Sequence, residues 1–159
     1  MPMLRDLLSK IWRLVPASLR RWSVRATNTK FTVTAAGIVR DNQGKVLLIK
    51  HRFRPGSGWG IPGGFLEAGE QADAALRREL CEEIGLELEQ VRIYASRTFR
   101  RQNQIEVVFL ANASGQPHPK SIEVELVDWF SIDSLPDELP TEQKKLIESV
   151  LHVGGEGRD

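Results

Sequence analysis

Cysteine occurs once in these 159 residues, at position 81. A single thiol excludes an internal disulfide framework and fits a reducing compartment. No run of 18 apolar residues exists, so nothing is expected to span a bilayer as an uninterrupted helix. Asp6, Lys10 and Arg13 break up the apolar stretch near the N-terminus, which argues against a signal peptide. No internal repeat is present. Charge of one sign is also lacking, with 22 Lys and Arg against 21 Asp and Glu. What remains is an ordinary globular composition, 41% hydrophobic and 27% charged, long enough for one domain with a proper core.

The balanced total hides an uneven distribution. Residues 1–30 hold seven Lys or Arg and one acid (Asp6), a net of +6, which leaves −5 for the rest of the chain. Within residues 1–28, Leu4, Leu7, Leu8, Ile11, Leu14 and Val15 follow helical spacing, with Trp12 nearby and Arg5, Lys10 and Arg13 between them. After Pro16, the stretch "ASLRRWSVRA" suits a second short helix. Such a basic amphipathic extension can lie on an anionic membrane surface or dock its apolar stripe on protein, and docking on the domain or on a second subunit is the commoner use. The expectations are a cytoplasmic protein with either a homodimer contact or a peripheral membrane contact through this arm. Nucleic acid is not expected as the main partner, because the body is net acidic and phosphate contacts need clustered cations.

From Phe31 the period changes to that of strands. "FTVTAAGIVRD" and "KVLLIKHRF" flank a turn at Asn42–Gly44 and read as a hairpin. "RPGSGWG" reads as a loop, with Lys50, His51, Arg52 and Arg54 just upstream. Two more strands are expected over "LELEQVRIYASRTFRR" and "QIEVVFLANAS", and Arg97, Arg100 and Arg101 read as a basic surface patch. "IEVELVDWF" suits a further strand ending in a short turn. "TEQKKLIESVLHV" suits a closing helix with Thr141 as N-cap, carrying Leu146, Val150 and Leu151. Residues 29–153 form the expected domain and 154–159 a disordered tail. The element order is compatible with an α+β class.

The stretch from Gly64 to Leu86, "GFLEAGEQADAALRRELCEEIGL", carries the chemistry. Ala72, Leu76, Leu80 and Ile84 recur every four residues and give a helix its core face. Glu79, Glu82 and Glu83 share the other side at i, i+3 and i+4, where like charges repel. A solvated acidic face and a site for a hard divalent cation are both consistent with that spacing. Gly85 is a natural helix stop, and Glu70 and Asp73 lie near the helix start, where acids suit the macrodipole. Cys81 reads as a packing or surface residue.

The same residues match the Nudix box, G-x5-E-x7-R-E-U-x-E-E-x-G-U, at Gly64, Glu70, Arg78, Glu79, Leu80, Glu82, Glu83, Gly85 and Leu86. The preceding "WGIPGG" resembles the usual lead-in, and the resemblance to the Nudix hydrolases extends over residues 31 to 150. It implies a mixed, curved sheet sandwiched between helices, with the box as a loop–helix–loop. It further implies metal-dependent hydrolysis of a nucleoside diphosphate derivative, with Mg²⁺ or Mn²⁺ held by Glu82, Glu83 and the Gly64 carbonyl. On the same resemblance Glu79 is a further ligand or the base, Arg78 orients Glu79 or pairs with Glu70, and Glu70 and Gly85 are structural. The general base is left among Glu79, Glu123, Glu125 and Asp128, with Glu123 ranked first beyond the box. Arg52 and Arg54 are candidates for substrate phosphate, which arginine can grip bidentately. The NADH-pyrophosphatase signature is absent, and Arg101 and Gln104 stand where a proline or tyrosine marks the ADP-ribose and dinucleoside-polyphosphate subgroups. The substrate therefore stays open among nucleoside triphosphates, nucleotide sugars and related diphosphates. The alternative is a non-catalytic domain that binds a nucleotide as a sensor.

Overall fold

The computed structural model of the chain describes residues 15–153. The expected first helix of the basic arm and the expected tail at 154–159 lie outside the described residues. The chain divides into two compact units at Phe31/Thr32. In the first, helix α1 spans Ala17–Thr27 and includes the stretch expected to form a second short helix, with Leu19 exposed.

The second unit is built on one mixed sheet. Its strands are β1 (Thr32–Arg40), β2 (Val46–His51), β3 (Trp59–Gly60), β4 (Gly63–Phe65), β5 (Glu89–Phe99), β6 (Gln104–Asn112) and β7 (Val124–Phe130). The order is β3-β2-β1-β6-β5, with β4 added against β1 and β7 against β2. β1 and β6 run parallel from Thr32↔Gln104 to Arg40↔Asn112, and every other pairing is antiparallel. The β1–β2 hairpin forms as expected. Asp41 Oδ1 accepts the backbone N–H groups of Gln43 and Lys45, which fixes the turn.

Two helices of this unit serve opposite faces of the sheet. Because side chains alternate along a strand, β1 sends Ala35 and Val39 to one face and Ala36 and Ile38 to the other. β2 divides Leu47 and Ile49 from Val46 and Leu48 in the same way. Helix α2 (Ala72–Ile84) fills the first face with Ala75, Leu76, Leu80 and Ile84. Helix α3 (Thr141–Val153) fills the second with Ile147 and Val150. This is the sandwich that the resemblance implies. Leu76 is fully buried, and its Cδ atoms lie so near Gly37 that a Cβ there would approach within 3.1 Å. Leu76→Ala is therefore expected to destabilise the domain by about 3–5 kcal/mol in urea unfolding, since transfer and cavity costs add.

Three local expectations are corrected. The "RPGSGWG" loop and the box lead-in contain β3 and β4, which at two and three residues are too short for any periodicity to show. At the start of α3, the Pro140 carbonyl accepts the N–H groups of Gln143 and Lys144. Pro140 thus occupies the N-cap and Thr141 is the first helical residue. On the same helix Ile147, passed over in the sequence reading, is fully buried, whereas Leu146 is only partly so.

Candidate active site

Helix α2 is closed at its C-terminal end by a glycine cap, while its N-cap residue makes no side-chain cap bond. Gln71, extended at φ −82° and ψ 148°, precedes the first turn. At the other end Gly85 adopts φ +69°, and its N–H and that of Leu86 reach back to Cys81 and Leu80. That left-handed residue closes the helix as glycine does most readily.

Arg78 organises the outer part of the acid group. Its Nε donates to Glu70 Oε1 at 2.9 Å and its Nη2 to Glu70 Oε2 at 3.0 Å, a bidentate grip. Its Nη1 donates to Glu79 Oε1 at 3.0 Å, and its Nη2 also reaches the Phe65 carbonyl at 3.1 Å. The bond from Arg78 holds the Glu70 carboxyl below its usual range, helped by the Glu67 N–H. Because that value is depressed on folding, the bridge contributes stability at neutral pH and loses it only in acid.

The inner part is different. Glu82 is mostly exposed, but Glu83 is only 8% exposed and its Oε2 has no hydrogen-bond partner. Burial first, then the charges of Glu79 and Glu123, push Glu83 up to about 7, with Arg54 opposing. His51 Nε2, also buried and unpartnered, lies 3.9 Å from Glu83 Oε2. Burial and the charge of Arg54 lower His51 to about 4, so the ring is neutral at pH 7. Among the described residues, His51, Glu83 and Glu123 each offer a ligand atom within 4.8 Å of the others. A buried carboxylate with no partner is costly unless something neutralises it. An oxygen-rich group with one such orphan therefore fits a divalent cation.

The two glycines of β4 divide the structural and chemical demands. A Cβ on Gly63 would collide with the Ala35 carbonyl and come within 2.7 Å of Ala36 Cα, both backbone atoms of β1. A Cβ on Gly64 would instead run into the Glu79 side chain, 2.7 Å from its Cγ and closer still to its carboxyl group. Gly63→Ala is expected to unfold the domain or cost several kcal/mol, by the strain of overpacking. Gly64→Ala is expected to stay folded in circular dichroism and lose activity, since a flexible side chain yields and Glu79 leaves its place beside Arg78. Equal melting temperatures for the two variants would contradict this division.

Beside the acids runs a cleft of ≈ 170 Å³ between β1, β4, β6 and α3, floored by Thr34, Arg54, Gln104, Glu106 and Gln143. Arg54 also borders two adjoining hollows, one with His51 and Glu123, the other with Arg97, Phe99 and Gln143. Gln143 ties α3 to this end of the sheet by accepting the Ile61 N–H at 2.8 Å.

The sequence candidates are distributed unequally over this geometry. Gly64, Glu70, Arg78 and Glu79 come together, Glu83 lies near the C-terminal end of α2 within reach of the Glu79 charge, and Glu82 stands exposed beside Arg78. Of the three acids on the β7 segment, Glu123 adjoins Glu83, Glu125 is taken by Lys50 at 2.9 Å, and Asp128 is exposed and bonded to the Trp129 N–H. Arg54 reaches the cleft, but Arg52 is exposed and does not line these hollows. Arg97 does not join a surface patch with Arg100 and Arg101. It pairs with Glu106 at 2.5 Å and lies over the Phe99 ring. His51 was grouped only with neighbouring cations by sequence reasoning, and its place beside Glu83 had no signal there.

Crowded carboxylates around one buried oxygen, next to an arginine- and glutamine-lined cleft, suit an anionic substrate bridged to protein through a cation. Fold and site together define a class of mixed-sheet sandwich domains with an acid-bearing glycine-turn and helix at their centre. A family model described as the NUDIX domain matches residues 30–150. The chain belongs to the Nudix family. An NAD-capped RNA hydrolase of Vibrio atlanticus is 32% identical over 113 residues, covering 69% of this chain and 42% of the relative. One from Mannheimia succiniciproducens is 29% identical over 154 residues, covering 87% and 58%. The chain thus spans less than two thirds of the length of these curated relatives. Among solved structures, a MutT NUDIX hydrolase from Burkholderia pseudomallei aligns with TM-score 0.68 at 29% identity, covering 77% of this chain and 99% of that one. A NUDIX hydrolase from Nitrosomonas europaea aligns with TM-score 0.68 at 26% identity, covering 79% and 74%.

Proposed function

We propose that this chain hydrolyses the diphosphate linkage of a nucleoside diphosphate derivative, with Mg²⁺ or Mn²⁺ held by Glu82, Glu83, Glu79 and the Gly64 carbonyl. The observation that carries the reading is the buried, unpartnered oxygen of Glu83 inside a group of like charges. A divalent cation held by these residues would supply charge neutralisation for phosphoryl oxygens and a more acidic water. Arg78 keeps Glu79 in one orientation, as such supporting contacts do for groups that must not swing. Arg54 lines the cleft and both adjoining hollows, where its guanidinium can meet a substrate phosphate as a charge-assisted pair. Glu79 and Glu123, whose charges both act on Glu83, are our candidates for taking a proton from the attacking water. Gln104, Thr34 and Gln143 offer uncharged polar groups to the remainder of the substrate.

The curated relatives are named for NAD-capped RNA, which sets them against the expectation of no nucleic-acid partner. The substrate panel should therefore hold nucleoside triphosphates, nucleotide sugars, ADP-ribose, NAD and an NAD-capped RNA oligonucleotide. Product release from one class with Mg²⁺ or Mn²⁺, abolished by EDTA, is the expected result. Binding of a panel member with no turnover under any metal would favour a nucleotide sensor instead.

A further inference from the structure

The buried end of the acid group holds a nitrogen that the box motif does not include. His51 sits at the last position of β2, where the β2–β7 register shifts between Lys50 and His51. The main chain there is tied on both sides: His51 N–H donates to the Gly58 carbonyl at 2.9 Å, and Arg52 N–H to the Glu123 carbonyl at 2.8 Å. These bonds hold His51 beside the Glu123 main chain, and the ligand atoms of His51, Glu83 and Glu123 all lie within 4.8 Å of one another. His51 Nε2 and Glu83 Oε2 lie 3.9 Å apart, too far for a hydrogen bond, and neither has another partner. Two donors about 2.1 Å from one ion are separated by roughly 3–4 Å, so this spacing suits ligands of a shared cation.

We propose that His51, Glu83 and Glu123 form a mixed nitrogen–oxygen cation site that takes a first-row transition-metal dication in preference to Mg²⁺. The inference rests on the reading of Glu83 as a cation ligand and adds the imidazole to it. Mg²⁺ holds to oxygen donors and its own waters, whereas imidazole nitrogen suits transition metals. The surrounding charges favour a dication. Glu79, Glu82 and Glu123 all act on Glu83, Arg54 is the opposing cation there, and Arg78 is tied to Glu70 and Glu79.

The test is Mn²⁺ titration of the metal-free full chain followed by electron paramagnetic resonance, with pulsed measurement of nitrogen coupling on the bound ion. A directly coordinated imidazole ¹⁴N is expected, and histidine labelled with ¹⁵N in the unaltered chain should change that coupling. His51→Gln should abolish it and weaken Mn²⁺ binding by about 10-fold or more, with Mg²⁺ competition nearly unchanged. His118→Gln should leave the coupling intact. Bound Mn²⁺ with no nitrogen coupling, or with coupling that survives His51→Gln, overturns the imidazole ligand and leaves the hydrolase reading standing. Absence of any Mn²⁺ binding overturns this site, and the hydrolase reading then stands or falls on Mg²⁺-dependent turnover.

Discussion

Glu83→Gln is expected to lower kcat on the preferred substrate by about 10³-fold, the several kcal/mol that a catalytic cation supplies. The reason lies in the placement of this side chain relative to the other box acids. Glu82 is largely exposed and Glu79 already accepts from Arg78, so neither offers a buried, vacant oxygen. Glu83 does. The same variant should leave the metal-free protein at least as stable as the parent, because burial and the charges of Glu79 and Glu123 all act against the ionised carboxyl. Ligand binding to the folded state raises the melting temperature, so Mn²⁺ should raise it in the parent and not in the variant. A variant that loses activity because it has unfolded would show the opposite pattern, a lower melting temperature in EDTA.

Arg78→Lys should lower kcat by about 10- to 100-fold, the range found when contacts that orient a metal site are removed. The guanidinium spans Glu70, Glu79 and the Phe65 carbonyl at once, which its planar fork allows. An ammonium gathers its donors on one nitrogen and cannot hold all three. The domain should also lose about 1–2 kcal/mol in denaturant unfolding, a discounted figure because the side chain keeps partial exposure. KM should change less than kcat, since Arg78 faces acids and a carbonyl and does not line the cleft. A kcat within twofold of the parent would mean that Glu79 needs no bracing. Glu70→Gln should move both quantities in the same direction by less, as it keeps one acceptor oxygen for Arg78.

Much of this site is legible in the sequence because it depends on local spacing. The offsets of Glu70, Arg78, Glu79, Glu82 and Glu83 lie within one turn-and-helix segment, and helix geometry converts them directly into neighbours. The core face at Leu76, Leu80 and Ile84 is legible for the same reason. What is not legible depends on strand pairing across long separations. Glu123 meets Glu83 because the Lys120 and Ser121 N–H groups bond the Glu83 carbonyl just before the chain enters β7, and the β2–β7 pairing brings His51 into the same space. Nothing in the local pattern around His51 distinguishes it from Arg52, which stays outside. Arg97 leaves the expected basic patch because the β5–β6 register places it directly across from Glu106. A one-residue slip would have turned it to the other face.

The most direct measurement is a metal add-back on EDTA-stripped protein, run in parallel for the parent and Glu83→Gln with the best substrate of the panel. Turnover in the parent should be absent after stripping and return saturably as Mn²⁺ is added, while the variant stays inactive across the titration. Undiminished turnover in the stripped parent, or full recovery in the variant, would contradict a cation held by Glu83 as the centre of this site.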